Sequence, residues 1–346
     1  MKKLLLLTGS YWWWHNAAAF ALKEYYQRNW WEVKLIDILD FINTFLAKST
    51  KKFYKLSSED FPAIWEAFFN ITDYPIVSRI LYWIKDPILQ PKFDEIIQDF
   101  QPDNVISVFP FWNWWVKNFI KKNPWDFKWW IVITDAINIQ SFWYVKPEYV
   151  DKYFVIDEFS KKKFIKKFNY PENKVEVSFF PILPEKFINK KNIWNKKVLI
   201  LLTGLEENFV DKFLSITNAD VTIIKWRNDN LYADLKKKYG NKFDFCEFIN
   251  ILDSLKKYDI FIWKPWWAIT SECIATDTFM FVPSYFPWQE EGNLQLLLLN
   301  KCWLYENNAI KLEFLRQYLD FNKLAENFRK VKKPNSCEII LSTLNY

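Results

Sequence analysis

Residues 2–9 have the sequence KKLLLLTG, and residues 196–204 repeat its plan as KKVLILLTG. Each copy is a lysine pair, a continuous apolar run and a Thr-Gly pair. A continuous apolar run ending in a glycine turn is typical of the first strand of a doubly wound α/β domain, because helices cover both faces of a parallel sheet. The repeat therefore predicts two Rossmann-like halves.

Strand and helix patterns alternate after each copy, which favours a parallel sheet in each half. In the first half we predict strands at 32–37, 104–109, 130–134 and 153–156, and helices at 17–27 and 116–121. In the second half we predict strands at 198–202, 221–224, 244–248, 260–263 and 279–283, and helices at 206–214, 270–275 and 312–331. We assign no element to the aromatic-rich residues 45–95.

The predicted domains are 1–180, a linker at 181–195, a second domain at 196–330, and a tail at 331–346 that packs on the first domain. The chain has 346 residues, of which 51% are hydrophobic, enough for two cores. No apolar run reaches the roughly 18–20 residues that cross a bilayer, and the opening apolar run is too short for a signal peptide. We therefore expect a cytoplasmic protein.

Charge and cysteine usage exclude several classes of protein. The four cysteines are far apart in the sequence, which is neither a disulfide framework nor a zinc site. The net charge of +6 comes mostly from lysine and suits anionic headgroups or nucleotide phosphates, and equally an ordinary solvated surface. No RNA-binding or helix-turn-helix signature accompanies it, so we expect no nucleic-acid partner.

The chain has 21 Trp and only 4 Gly, whereas average usage of about 7% gives roughly 24 Gly in a chain of this length. Many Trp occupy turn positions that favour Gly, such as Trp30 after a predicted helix, and Trp125 and Trp288 after Pro. Our hypothesis is that most of these Trp stand for Gly, as when a stop codon that is decoded as Gly is translated as Trp. The alternative is a Trp-rich protein. The positions that suit genuine Trp best are Trp65, Trp83 and Trp143.

The first candidate site is the loop Gly9–Asn16, GSYWWWHN. With Gly at Trp12, Trp13 and Trp14 it is a glycine-rich turn between a strand and a helix, and with Ser10 it suits an acceptor or a phosphate. His15, the single histidine, begins the helix. Its near-neutral pKa suits proton transfer or phosphate contact, although a lone histidine is often structural.

The second candidate site is Lys264–Glu272, KPWWAITSE, again a strand, a turn and a helix when Trp266 and Trp267 are taken as Gly. The amides around Ala268 and the hydroxyl of Thr270 suit a diphosphate. Glu272 suits ribose hydroxyls, although an acid is favoured near a helix N-terminus in any case.

The third candidate site is Phe286–Asn293, FPWQEEGN, whose side chains Gln289, Glu290 and Asn293 suit sugar hydroxyls. A solvated turn is the alternative. A fourth candidate is Asp135, which ends a strand of the first half after Thr134. It is interpreted either as a general base or as a helix N-cap.

With Gly at the Trp positions, these motifs resemble the monogalactosyldiacylglycerol synthase family and its bacterial diacylglycerol glucosyltransferase relatives. The resemblance runs from GSYWWWH through VITD, VDKYFV and KWRN to KPWWAITSE and PWQEEGN. It implies a GT-B fold, two Rossmann-like domains facing a cleft, with the acceptor on the first domain and a UDP-hexose on the second. The chain is similar, more distantly, to the lipid-linked N-acetylglucosaminyl transferase of peptidoglycan synthesis.

The resemblance also implies an inverting transfer of galactose or glucose to diacylglycerol, with no cofactor and no obligatory metal. It makes Asp135 the base, with His15 near the acceptor. Trp266, Trp267, Ala268 and Thr270 would hold the diphosphate, Glu272 the ribose, and Gln289, Glu290 and Asn293 the hexose. We expect a peripheral protein on the cytoplasmic, anionic face of the membrane.

Two departures from the family leave alternatives open. Family members often carry a histidine shortly after the Thr-Asp pair, but residues 137–143 contain none, so a polyprenyl-linked or other small acceptor stays open. Genuine Trp at Trp12–Trp14 and Trp266–Trp267 would block both loops. A non-catalytic peripheral lipid-binding protein is the alternative from another functional class.

Overall fold

The computed structural model describes residues 1–10, 13–41, 73, 89–123, 127–190, 196–226, 228–285, 290–301 and 304–343. The chain divides into two compact units. The first unit is Met1–Pro184 with Asn335–Tyr346, and the second unit is Glu185–Pro334. The boundary therefore falls inside the predicted linker, of which residues 191–195 lie outside the described part.

The first unit contains a parallel sheet whose described strands have the order β2-β1-β3-β4-β5-β6. They are β1 Lys3–Thr8, β2 Glu32–Asp37, β3 Asn104–Ser107, β4 Lys128–Val132, β5 Lys152–Val155 and β6 Val175–Val177. Leu4 of β1 pairs with Val33 of β2 on one side and with Asn104 of β3 on the other. The first apolar run is therefore the interior strand that its composition predicts.

Alternate side chains of β1 pack against helices on opposite faces of this sheet. The helices are α1 Trp13–Arg28, α2 Ile38–Phe41, α3 at 89–100, α4 Trp112–Lys122 and α5 Glu158–Phe168. Leu5 and Leu7 join one buried cluster, with Phe93 and Val116 of α3 and α4. Leu4 and Leu6 join another, with Leu22 and Tyr26 of α1 and with Cys337 and Ile340 of the C-terminal helix Ser336–Thr343.

The second unit contains a parallel sheet of order β12-β11-β10-β7-β8-β9. Its described strands are β7 Lys197–Leu201, β8 Asp220–Ile224, β9 Asp244–Cys246, β10 Ile260–Ile262, β11 Phe279–Val282 and β12 Leu304–Tyr305. This is the strand order of dinucleotide-binding domains, in which the order reverses between the first and fourth strands. Here that switch point lies between β7 and β10, and ligands of such sheets bind outside the carboxyl ends of those strands.

The helices of the second unit are α6 Glu207–Ile216, α7 Asp229–Tyr239, α8 Ile251–Ser254, α9 Trp267–Ala275, α10 Glu291–Leu299, α11 Ala309–Tyr318 and α12 Phe321–Val331. The prediction of one helix over 312–331 is wrong, because the chain leaves the helix at Leu319. The side chain of Asp320 accepts hydrogen bonds from the amides of Asn322 and Lys323 and so starts a new helix.

The predicted pair of Rossmann-like sheets is confirmed, and the predicted strands begin and end within two residues of the observed ones. Short strands β6 and β12 have no counterpart among the predicted ranges, and neither do helices α2, α3, α5, α7, α8 and α10. Most of residues 45–95 lie outside the described part of the chain. Among the residues that the structure describes, no helix is long and apolar enough to cross a membrane.

Two structural groups stand out among the described tryptophans. Some are buried and donate indole hydrogen bonds: Nε1 of Trp112 lies 2.7 Å from the Thr8 carbonyl, and Nε1 of Trp129 lies 3.2 Å from Ser107 Oγ. Trp30 and Trp226 instead adopt left-handed backbone, with φ of 64° and 52°, and are 86% and 41% exposed. The second group supports the Gly hypothesis, since a bulky residue at positive φ is strained.

Candidate active site

A hydrogen-bonded chain of side chains organises the loop that follows β1. The Thr8 hydroxyl donates to Asn16 Oδ1 over 2.8 Å, and Asn16 Nδ2 donates to Ser10 Oγ over 2.6 Å. The amide of Ser10 donates to Asp37 Oδ1 over 3.1 Å, and its hydroxyl also donates to Asp37. Ser10 therefore stabilises the loop through its bonds to Asn16 and to Asp37, the acid that ends β2.

Gly9 allows this loop to approach β3. A Cβ atom at position 9 would lie 2.6–2.8 Å from the ring of Phe109, closer than side-chain contacts occur. Trp12 lies outside the described residues, and α1 begins at Trp13, followed by Trp14, whose ring centroid is 5.4 Å from that of His15. The loop therefore delivers His15 beside the end of β3.

His15 is buried, with 1% of its surface exposed, against the ends of β3 and β4. Its Nδ1 lies 2.7 Å from the carbonyl oxygen of Val108 and 2.8 Å from Thr134 Oγ1. Because a carbonyl oxygen only accepts, Nδ1 carries the proton and Nε2 is the basic nitrogen. Burial lowers the pKa of His15 to about 3, against a smaller opposite effect of the Val108 bond, so the imidazole is neutral near pH 7.

Asp135 follows β4, directly after the Thr134 that contacts His15. Its side chain is partly exposed, and its Oδ2 accepts a 2.6 Å hydrogen bond from Nε1 of Trp143. Burial raises the pKa of Asp135 to about 6, and the Trp143 bond partly offsets that rise. A carboxyl group with this pKa is ionised at neutral pH and still basic enough to take a proton from a hydroxyl in a transition state.

In the second unit, the chain segments at the switch point are tied together. Nε1 of Trp263, just after β10, donates to the carbonyl of Thr203, just after β7, over 2.8 Å. Gly204 has φ of +75°, and a Cβ there would lie 2.9 Å from Cε of Lys264. Burial lowers the pKa of the Lys264 ammonium, and nearby Glu290 offsets the effect.

The N-terminus of α9 lies directly after this segment. Trp266 is its N-cap residue and is 36% exposed, and the helix begins at Trp267. Ala268 lies in the first turn and is buried. Thr270 is also buried, and its hydroxyl lies 3.8 Å from the Met280 sulfur, so in this structure it faces the core. The predicted contact of that hydroxyl with a diphosphate stays a prediction.

Glu272, in the second turn of α9, carries a carboxyl oxygen, Oε2, that is buried and has no hydrogen-bond partner among the described residues. Burial raises the pKa of this carboxyl well above its usual value, Lys186 lowers it and Asp253 raises it further. An unsatisfied buried carboxyl oxygen is costly, and a ligand hydroxyl would satisfy it.

The start of α10 docks on the same segment. Nδ2 of Asn293 donates to the Pro265 carbonyl over 2.9 Å, and Glu290 is the buried N-cap residue of α10. Gln289 lies outside the described residues. The structure thus brings Glu290 and Asn293 to the Lys264–Pro265 turn, so the described parts of the second and third candidate segments lie together.

Sequence reasoning missed two residues that shape these sites, Asp37 and Trp143, and gave no individual role to Asn16 and Lys264, which lie inside the predicted loops. Asp37 had a usable signal, since an acid that ends the second strand of a doubly wound domain sits at the ligand edge. Trp143 had no such signal, because its contact with Asp135 depends on how the loop after β4 folds.

Among the described residues, no cluster of His, Cys, Asp and Glu is arranged to hold a metal ion. Cys246, Cys273 and Cys337 are free thiols, and Cys302 lies outside the described part.

Comparison with known proteins relates the first unit to one family. Residues 15–182 match the model of the monogalactosyldiacylglycerol (MGDG) synthase family. The chain is also 22% identical over 277 residues to the processive diacylglycerol beta-glucosyltransferase of Bacillus licheniformis, which is 73% of this chain and 71% of that protein.

Two solved structures share the fold over the whole chain. MurG of Acinetobacter baumannii superposes with a TM-score of 0.65 at 9% identity, covering 99% of both chains. Anabaena Alr3699/HepE, in complex with UDP, superposes with a TM-score of 0.55 at 11% identity, covering 100% of both chains. The predicted resemblance is confirmed, and this chain is a glycosyltransferase of the GT-B fold related to the monogalactosyldiacylglycerol synthases.

Proposed function

We propose that this protein transfers a hexose from a UDP-sugar to the free hydroxyl of diacylglycerol with inversion at the anomeric carbon. The observation that carries the proposal is the Asp135 carboxyl at the end of β4, whose pKa is raised to about 6. The name of the Bacillus relative supports the lipid acceptor, and the UDP complex of the Anabaena protein supports the donor.

In this proposal, the first unit supplies the base. The Asp135 carboxylate accepts the acceptor hydroxyl proton as the oxygen attacks the anomeric carbon, and the bond to the UDP oxygen breaks on the opposite face. A single displacement of this kind inverts the anomeric configuration. Neutral His15 lies beside the acceptor and hydrogen-bonds to it. It does not act as the base, because its low pKa makes it a poor proton carrier near pH 7.

The second unit supplies the donor contacts. The first-turn amides of α9 and the Lys264 ammonium stabilise negative charge on the departing diphosphate. The buried Oε2 atom of Glu272 accepts from a ribose hydroxyl, and Glu290 with Gln289 and Asn293 receives the hexose. We expect turnover in the presence of a chelator, because these groups supply the charge stabilisation without a metal ion.

The test measures UDP release from UDP-glucose and from UDP-galactose, with and without diacylglycerol vesicles. It uses the unmodified chain and a variant with Gly at positions 12–14, 266 and 267. We expect lipid-dependent UDP release by the Gly variant with one of the donors and none by its Asp135→Asn form. No lipid-dependent release with either donor would refute the proposed function.

We also propose that the first unit contacts an anionic membrane. Helix α5 carries Lys161, Lys162, Lys163, Lys166 and Lys167, and Phe159 at its start is 41% exposed. Lysines near a negative surface each contribute about 1 kcal/mol to binding. Co-sedimentation with phosphatidylglycerol vesicles should exceed that with phosphatidylcholine vesicles, and replacing Lys162 and Lys166 with Glu should reduce it. Equal binding to both kinds of vesicle would contradict this proposal.

A further inference from the structure

Trp143 is the side chain that holds Asp135. Its indole N–H donates to Oδ2 of Asp135 over 2.6 Å, and the indole is fully buried, with its ring centroid 6.2 Å from that of His15. No hydrogen bond from the described residues reaches Oδ1 of Asp135. The carboxylate therefore has one oxygen anchored to the protein and the other available to a ligand.

The position of Trp143 is itself fixed from β5. The Tyr153 hydroxyl donates to the Trp143 carbonyl over 2.8 Å and accepts from the amide of Val145 over 2.9 Å. Two bonds from one buried hydroxyl clamp the main chain on both sides of Tyr144. The loop segment that carries the indole N–H is thus fixed to β5 beside Asp135.

We propose that Trp143 is a positioning residue that orients the Asp135 carboxylate, so that Oδ1 receives the proton of the acceptor hydroxyl. This inference rests on the proposed role of Asp135 as the base. The indole bond to Oδ2 is stronger for the ionised carboxylate than for the neutral acid, so it lowers the pH below which the base is lost.

Few other groups near Asp135 could cause a titration near pH 6. Burial lowers the pKa of His15 on α1 to about 3 and raises the pKa of Tyr153 on β5 well above its usual value, so neither titrates near pH 6. The ammonium groups of Lys163 and Lys167 on α5 donate to the loop at 138–139. A transition near pH 6 in this site therefore belongs to Asp135.

The indole resonance of Trp143 in a ¹H–¹⁵N spectrum tests the inference without any requirement for turnover. We expect it to shift with pH with a midpoint of about 6, to vanish in Trp143→Phe, and to lose its titration in Asp135→Asn. Comparison of the unmodified chain with Asp135→Asn suffices if Trp143→Phe does not fold. A Trp143 signal that does not titrate, or that titrates unchanged in Asp135→Asn, would overturn the inference.

The pH profile of turnover tests the catalytic consequence. In Trp143→Phe the acidic limb should move up by about one to two pH units, because a hydrogen bond to the charged form has been removed. Trp129→Phe is the matched control, since it removes a buried indole bond from β4 to Ser107 Oγ on β3 and should leave the limb in place. A lower plateau with an unmoved limb in Trp143→Phe would show a purely structural role and overturn the inference.

Discussion

Adjacent tryptophans after α1 should respond in opposite ways to replacement by Gly. Trp30 has φ of 64° and is 86% exposed, whereas Trp31 is 8% exposed and packs edge-to-face on Tyr26 with ring centroids 5.5 Å apart. The hypothesis that Trp stands for Gly therefore makes different claims at the two positions. Trp30 has the backbone of a helix-terminating Gly, and Trp31 has the packing of a core residue.

The magnitudes follow from the backbone and the burial. Left-handed backbone costs a non-glycine residue about 1–2 kcal/mol, and Gly costs about 0.5–1 kcal/mol through the entropy of the unfolded chain. Since the Trp30 indole is exposed, Trp30→Gly should stabilise the first unit by about 0.5–1 kcal/mol, which is about 1–4 °C in Tm. Trp31→Gly should destabilise it by about 3–5 kcal/mol, the cost of removing a large buried aromatic side chain.

The assay is thermal and urea unfolding of the two variants beside the unmodified chain, followed by far-ultraviolet circular dichroism. Trp226→Gly, at φ of 52°, should give a smaller gain than Trp30→Gly, because it loses the stacking of Trp226 on Phe248 at 5.4 Å. Clear destabilisation by Trp30→Gly, or stabilisation by Trp31→Gly, would refute this assignment of the two tryptophans.

Three further predictions follow from the sites. UDP affinity should rise with pH and lose that dependence in Glu272→Gln, because ribose hydroxyls favour the ionised form of a carboxyl whose pKa burial has raised. Titration calorimetry in two buffers measures the protons released on UDP binding. Equal proton release by the unmodified chain and by Glu272→Gln would contradict this prediction. The single His15 ring should show no NMR titration midpoint above pH 5, and its low folded pKa makes the protein about 2 kcal/mol less stable at pH 5 than at pH 7; a midpoint near 6.5 would contradict this. Gly9→Ala should destabilise the first unit by about 1–3 kcal/mol through contact with Phe109 in urea unfolding, and no loss would show that the ring moves away.

The sequence predicted the sheets well because buried parallel strands are continuous apolar runs whose ends are set by Gly, Pro and charged residues. Helix starts were predicted less well. Helices α1, α4 and α9 begin three or four residues before their predicted starts, at Trp13, Trp112 and Trp267. Two of these starts lie inside loops interpreted as glycine-rich, where a Trp extends a helix that Gly would delay.

The placement of candidate residues was predictable where they follow a strand directly, as Asp135 and Lys264–Glu272 do, and their functional roles stay predictions. Contacts made across the fold left no pattern in the sequence. The Trp143 indole reaches Asp135 only because Tyr153 clamps its main chain, and Asn293 meets Pro265 only because α10 packs beside α9. Such contacts depend on three-dimensional placement, which spacing along the chain does not encode.

The product of the reaction tests the central claim most directly. The Gly variant is incubated with UDP-α-hexose labelled with ¹³C at the anomeric carbon, in vesicles containing diacylglycerol, and the lipid fraction is analysed by NMR. We predict a labelled glycolipid with a β-glycosidic bond to the glycerol hydroxyl. An α-linked product, or label recovered only as free sugar, would contradict an inverting transfer to lipid with Asp135 as the base.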